Sequence, residues 1–386
     1  MSKVLFVIQQ LGFGGSTTSL LNMLELLDKS GHRADLFIMK HGGAFMDRAA
    51  VCANILPEDT KLASSICNRN SIKRYGINGL INRCYVSLKY KLKNPRIVLH
   101  DIYKSAAELI KGYDVVISYQ ENIATDFTQY IPSKKRIAWV HTMYDSFTIN
   151  MSYREVLDTY LRFDDIVCVA PAAVDVFKKR MPSLADRVSL ISNPLNVEMI
   201  KQKACCDQND IADDLQNVII SVGRLSPEKQ YDYAIKAAKK LYENGFAFKW
   251  FIVGEGIEKA KLEELINREN LQDIVVLLGS RQNPYPLIAK ADVLVISSVY
   301  EAQPMVANEA FVLGVPVITT DYPAAKTLIN HGQNGIICKT SVDGIYSAVN
   351  NFMSNKDLSA KLTKGARNFH YDNDSILEKI LDLFVL

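Results

Sequence analysis

The sequence lacks a Cys-x-x-Cys pair, a bilayer-length apolar run, a low-complexity tract, and any acidic residue between Lys61 and Ile97. Its seven cysteines stand at 52, 67, 84, 168, 205, 206 and 338. An odd count, no zinc-like spacing and an adjacent Cys205-Cys206 pair argue against a disulfide framework or zinc site and for a reducing compartment. The first apolar run, Val4 to Ile8, is far short of the roughly 20 residues a membrane span needs. One Lys precedes it and no small-residue cleavage site follows, so no signal peptide is expected. With 48% hydrophobic residues the chain has ample apolar material to offset chain entropy, which excludes disorder as its main state. A net charge of only +3 and no recognition motif speak against nucleic acid as a partner. At 386 residues, two or three domains are expected.

The missing acids make one stretch unusual. Residues 61 to 97 hold Lys61, Arg69, Lys73, Arg74, Arg83, Lys89, Lys91, Lys93 and Arg96, leaving the rest of the chain at −6. Leu80, Ile81, Tyr85, Leu88 and Tyr90 are among the apolar and aromatic residues interleaved with them. A basic, amphipathic, aromatic segment suits an anionic membrane surface or a polyanionic acceptor, with Arg83, Lys89, Lys91 and Lys93 as the contact residues. The plainer alternative is a solvated helix with its apolar side in the core.

Elsewhere short apolar runs alternate with helical patterns. Val4–Ile8, Leu36–Met39, Val115–Ser118, Ile137–Val140, Ile166–Val169 and Val188–Ile191 form a first series of strands. Val218–Val222, Trp250–Val253, Ile274–Leu278, Val293–Ile296, Pro316–Thr319 and Gly335–Cys338 form a second. Continuous rather than alternating apolar runs indicate strands covered on both faces, as in a parallel sheet between helix layers. The expectation is an α/β protein with two doubly wound, Rossmann-like domains facing a central cleft. The polar stretch Lys201 to Asp214, with Asn193-Pro194 before it, is the expected linker. A glycine-rich turn, Gly12 to Gly15, precedes a helix expected to be capped by Ser16 and Thr17 and to run to about Lys29.

Two motifs carry chemistry. Gly223-Arg224-Leu225-Ser226-Pro227-Glu228-Lys229 follows a strand, and an Arg fork with a Lys point charge suits a diphosphate. Glu301-Ala302-Gln303-Pro304-Met305-Val306 leads to Glu309 on a helix, with Pro304 expected at the first helical position. Free amides at that helix start can hold an anion, and one carboxylate in the loop with another on the helix can grip two hydroxylated rings. Gly12-x-Gly14-x-x-Thr17 looks like a dinucleotide fingerprint, but its third glycine is missing and Lys40 stands where an acidic ribose ligand is expected. Asp372-Asn373-Asp374 reads as helix capping rather than a metal motif, and no metal site is expected.

Taken together, the Gly-Arg-Lys segment, Gly254-Glu255-Gly256, the Glu-x7-Glu pair ahead of Leu313-Gly314-Val315-Pro316, and Trp139-Val140-His141-Thr142 resemble the retaining glycosyltransferases of family 4, which have the GT-B fold. The resemblance is close over about 215 to 340 and looser before that. It implies that Arg224 and Lys229 neutralise a donor diphosphate, that Glu309 binds the ribose hydroxyls, and that Glu301 and His141 lie by the donor sugar as catalytic groups. It implies that Gly14, Gly15, Gly223 and Gly254 approach the phosphates, that the amides of Gln303, Pro304's loop, Met305 and Val306 face the sugar and β-phosphate, and that Ser280 and Arg281 lie at the base. Ala302 and Gln303 depart from the glycine and aromatic residue that the family often has there, which leaves the donor sugar open. The run Glu-Ala-Gln-Pro-Met resembles a subset working on bacterial surface polysaccharides, such as capsule or lipopolysaccharide. The implied activity is retaining transfer of a hexose or N-acetylhexosamine from a UDP-sugar to a lipid-linked or polymeric glycan. It would need no cofactor or metal and would take place at the cytoplasmic face of the membrane. The implied domains are an acceptor-binding domain, 1–198, joined by a closing helix at 370–386, and a nucleotide-sugar domain, 199–369. A nucleotide-sugar epimerase, a phosphorylase or a non-catalytic binding module are the alternatives. Glu121 is a candidate on the acceptor side.

Overall fold

A computed structural model describes residues 2–12, 14–67, 71–92, 95–148, 151–206, 211, 215–301 and 303–386. The chain divides into two compact units, Met1–Pro194 with Asn373–Leu386, and Leu195–Asp372.

The first unit is built on β1 (Val4–Ile8), β2 (Asp35–Ile38), β3 (Asn54–Ile55), β4 (Tyr113–Ser118), β5 (Ser133–Val140), β6 (Asp165–Cys168) and β7 (Val188–Leu190). They form one parallel sheet in the order β3-β2-β1-β4-β5-β6-β7. All five residues of β1 are buried, the pattern expected of a strand with helices on both faces. The chain runs outward from β1 to β3 and then restarts on the other side at β4. The carboxyl ends of β1 and β4 therefore flank the crevice where ligands bind in such sheets.

The second unit repeats this plan with β8 (Val218–Val222), β9 (Lys249–Val253), β10 (Val275–Gly279), β11 (Val293–Ile296), β12 (Val317–Thr320) and β13 (Gly335–Cys338). Its parallel order is β10-β9-β8-β11-β12-β13, so the reversal lies between β8 and β11. The helix Tyr231–Glu243 joins β8 to β9 and buries Tyr231, Ala234, Ile235, Ala238 and Leu241, a spacing that keeps one face on the sheet. Beneath the reversal, the buried Trp250 Nε1 donates to Ser221 Oγ (3.1 Å), which donates to the Val295 carbonyl (2.7 Å). This relay satisfies polar groups from three adjacent strands in the core, where an unmade bond costs about 1–3 kcal/mol.

Several boundaries differ from expectation. The units part at Pro194/Leu195, because Leu195 and Ile200 are buried in the second unit's core. The first part of the expected linker is thus the helix Val197–Ala204, packed on the second unit, while 207–210 and 212–214 lie outside the described residues. The return to the first unit comes at Asn373 rather than 370, because Phe369 and Tyr371 pack on the second core. The closing helix Asn373–Leu383 buries Ile376 and Ile380. Nearby, Ser2 Oγ donates to the Phe384 carbonyl (2.7 Å) and Lys135 Nζ to the Val385 carbonyl (3.4 Å). The glycine-rich turn ends with Gly14 as the N-cap of Gly15–Lys29, with no side-chain cap bond, so Ser16 and Thr17 lie inside the helix. Likewise Pro304 is the N-cap, not the first residue, of Met305–Val312.

Candidate functional site

The sheet order brings the two chemical motifs of the second unit together. β8 ends at Val222 and delivers Gly223 to Lys229; β11 ends at Ile296 and delivers Ser297 to Glu301. Because β8 and β11 are neighbours, segments 68 residues apart at their near ends emerge side by side.

The turn after β8 is laced to the turn after β9. Gly223 N donates to the Val253 carbonyl (3.0 Å), Leu225 N to the Glu255 carbonyl (3.0 Å), and Glu258 N to the Leu225 carbonyl (3.1 Å). Gly254 sits at φ +157°, and a Cβ there would stand 1.8 Å from the Gly223 carbonyl oxygen. A Cβ on Gly223 would meet the hydroxyl of Tyr231 at 2.8 Å and come within 3.9 Å of Lys229 Nζ. Both glycines are therefore fixed by close approach of chain to chain. A third tie, Gly254 N to the Gly279 carbonyl (2.9 Å), adds the end of β10.

Lys229 ends a short 3₁₀ turn, Pro227–Lys229, after which Gln230 takes a left-handed conformation (φ 48°, ψ 44°) and starts the next helix. Its carbonyl accepts from Ser297 Oγ (2.6 Å), and its ammonium pairs with Glu301 Oε1. The same carboxylate oxygen accepts from Ser298 Oγ (2.7 Å). Thr320 Oγ1 in turn donates to the Ser298 carbonyl, and Val299 N to the Glu228 carbonyl (2.9 Å). A small pocket opens here, with Lys229, Tyr231, Ser298, Glu301 and Val306 among its walls. Tyr231 is buried against it, and burial, then the charges of Glu301 and Glu228, hold its phenol protonated far above the usual range.

Arg224 is exposed, and its guanidinium makes no hydrogen bond or ion pair among the described residues. Glu309, on Met305–Val312, is buried and accepts from the Tyr285 hydroxyl (3.4 Å). Met305 and Val306 lie in the first turn of that helix, whose amides have no partner within the helix. Gln303 Nε2 donates to the Tyr371 hydroxyl (3.4 Å), just before the chain returns to the first unit. Ser280 is exposed after β10, and Arg281 Nη1 donates to the Leu278 carbonyl (2.5 Å).

In the first unit, Gly14 and Gly15 are exposed at the end of the β1 loop. Glu121 follows β4 and His141 follows β5. The buried Glu121 carboxylate accepts from His141 N (2.5 Å), Thr142 N (2.7 Å) and Thr142 Oγ1 (3.1 Å). Its three bonds, all on Oε1, shape the turn that carries His141. Burial nonetheless raises its pKa, the bonds opposing that rise. The His141 ring lies 4.7 Å from the Tyr119 ring. Burial drives its pKa down to about 3, opposed by a hydrogen bond with the Tyr119 backbone. The imidazole is thus neutral at ordinary pH, and its shielded Nε2 has no partner among the described residues. Among the described residues no group of three or more His, Cys, Asp or Glu is placed to hold a metal.

Of the basic segment, Arg83 turns inward and Nη1 donates to the Ser65 carbonyl (2.6 Å), so it is not a surface contact as expected. Lys89 lies over the Tyr85 ring (4.6 Å), Lys91 is exposed, and Lys93 falls outside the described residues. The pattern of residues missed Tyr231, Tyr285, Ser298, Tyr119 and Tyr371. Only Ser298, at the carboxyl end of an apolar run beside Glu301, carried a positional signal.

Residues 207–369 match the family model described as glycosyl transferases group 1. An uncharacterized glycosyltransferase of Methanocaldococcus jannaschii is 26% identical over 64% of this chain and 65% of its own length. The N-acetylgalactosamine-N,N'-diacetylbacillosaminyl-diphospho-undecaprenol 4-alpha-N-acetylgalactosaminyltransferase of Campylobacter jejuni is 33% identical over 39% of this chain and 40% of its own. The crystal structure of Anabaena Alr3699/HepE in complex with UDP-glucose superposes over 99% of each chain with a TM-score of 0.75 at 17% identity, a likeness of fold. The chain has the GT-B fold. As a GT-B chain it carries the family match almost wholly within the second unit, where the Lys229–Glu301 pair lies. The alignments span less than two thirds of both curated relatives.

Proposed function

We propose that this GT-B glycosyltransferase moves a hexose or N-acetylhexosamine from a UDP-sugar to a hydroxyl of a lipid-linked or polymeric glycan, with retention at the anomeric carbon. The observation that carries the reading is the Lys229–Glu301 pair at the β8/β11 reversal, with the unpartnered Arg224 guanidinium on the same turn. A diphosphate would take Lys229 and Arg224, and the sugar hydroxyls would take the released Glu301. Glu309 would hold the ribose. The names of the relatives support this reading: one acts on a diphospho-undecaprenol glycan with an alpha product, and one solved neighbour holds UDP-glucose.

In the proposed step the bond from the anomeric carbon to the β-phosphate oxygen breaks. The acceptor oxygen bonds to that carbon on the same face, and the departing phosphate oxygen takes the acceptor's proton. Negative charge grows on the leaving diphosphate, so Arg224, Lys229 and the first-turn amides of Met305 and Val306 each lower the barrier, on the order of 3 kcal/mol apiece. These groups do the work assigned to a metal in other schemes, so the proposal needs none. His141, being neutral, would act as a hydrogen-bond acceptor through Nε2. With an acceptor of that lipid-linked class, the enzyme would work at the inner face of a membrane.

The test is turnover of a labelled UDP-sugar with product analysis. Arg224→Ala and Lys229→Ala should each lose at least tenfold in turnover while the melting curve keeps its shape. Near-wild-type transfer by either variant removes the diphosphate role, and a labelled epimer or sugar phosphate in place of a glycoside removes the transferase reading.

A further inference from the structure

The helix Gly76–Leu92 faces the wrong way for an ordinary surface helix. Its inward side is polar: Asn82 Nδ2 donates to the Lys61 carbonyl (3.0 Å), Ser64 Oγ (2.8 Å) and Ser65 Oγ (2.9 Å), next to the Arg83 bond already described. Val86 is fully buried on that side and anchors it. Its outward side is apolar: Ile77, Leu80, Ile81, Tyr85 and Leu88 are each between 45% and 75% exposed. Their spacing of three and four residues makes one continuous stripe along a helix of 17 residues, about 25 Å long. A contiguous exposed apolar stripe marks an interaction surface.

We propose that this stripe docks the protein on an anionic bilayer, with the helix lying in the plane of the headgroups. Three features select that occupant. The charges left bordering the stripe, Lys73 before the helix and Lys89 and Lys91 near its end, are all basic; Arg74 is paired with Glu58, and no acid occurs from Lys61 to His100. A second copy docked by two-fold symmetry would set those cations against themselves with no carboxylate in the stretch to answer them. Aliphatic Ile and Leu side chains, in turn, offer a hydroxylated glycan nothing to hydrogen-bond, whereas acyl chains below acidic headgroups match both the stripe and its border. No helix among the described residues is long and apolar enough to cross a membrane, so the stripe would hold the chain at the surface. The inference rests on the proposed function only for its purpose, bringing the enzyme to an acceptor anchored in lipid.

The experiment is flotation of the full chain with phosphatidylcholine vesicles, with and without anionic phosphatidylglycerol. Leu80→Glu/Leu88→Glu is compared with wild type. The wild type should float with the anionic vesicles and little with the neutral ones. The double variant should lose at least tenfold in bound fraction, with an unchanged melting point and unchanged turnover on a water-soluble acceptor. Equal flotation of the two proteins, or no flotation of the wild type, overturns the proposal. So does a concentration-dependent dimer in vesicle-free solution that the double variant abolishes, since that assigns the stripe to a second copy. Thermal stabilisation by UDP is read on the same samples. Its absence beside normal flotation would defeat the donor reading and leave docking intact.

Discussion

At the scale of single residues, the site is governed by what each charge faces in the unliganded protein. Lys229 is answered by Glu301, so this part of the site presents little net charge to a free phosphate. A ligand that offers both a diphosphate and sugar hydroxyls can satisfy both members when it separates them. One that offers only phosphate leaves Glu301 to Ser298 alone. His141 yields a prediction with a definite sign. Its folded pKa of about 3 lies below the ordinary 6.5, so the unfolded chain takes up a proton that the folded chain refuses. Stability from His141 is therefore whole above about pH 6.5 and declines as pH falls toward 3. Glu121 runs the other way: its raised pKa contributes most in acid and loses that contribution as pH rises through the folded value. In a proton NMR titration the His141 ring signal should stay flat from pH 5 to 8; a midpoint near 6.5 would show the ring to be solvated. Much of this site was legible in the sequence, since Arg224, Lys229, Glu301 and Glu309 sit in a recognisable pattern. The pairing of Lys229 with Glu301 was not, because sheet order rather than local spacing joins them. Nor was the role of Glu121, whose three partners lie 20 residues onward.

At the scale of elements, the strands were legible because each is a short apolar run buried on both faces. Only the two-residue β3 escaped, being too short to leave a pattern. Element ends were harder. Whether Leu195 closes the first unit or opens the second depends on which core receives it, and no periodicity encodes that. The helix Gly76–Leu92 shows the same limit: its apolar stripe reads from the sequence, but periodicity is the same whether that stripe faces core or solvent. The crossing of turns at Gly254 supports an element-scale prediction. Gly254→Ala places a methyl against the Gly223 carbonyl and must force apart the lacing between the β8 and β9 turns. It should cost about 1–3 kcal/mol in a urea melt and also weaken stabilisation by UDP, because Arg224 and Lys229 ride on the displaced turn. Unchanged unfolding and UDP response would mean that the two turns can separate freely.

At the scale of the whole molecule, the second unit is an insertion in the first: the chain leaves at Pro194 and returns at Asn373. Ending the protein after Asp372 would remove Ile376 and Ile380 from the first unit, together with the Phe384 and Val385 carbonyls that receive Ser2 and Lys135. Loss of two buried isoleucines is expected to cost about 4 kcal/mol or more. In calorimetry the transition of the first unit should fall by about 10 °C, while the transition that responds to UDP stays in place. A UDP-responsive transition that moved with the truncation would tie the closing helix to the second unit instead. The same insertion sets an order of events on the ribosome. When residue 372 has just emerged, every strand of the second sheet is already in hand, yet the opening 194 residues still lack their last helix. The half of the polypeptide made first is the half that finishes last, and until the closing helix is made its uncovered apolar seat is what a chaperone would meet.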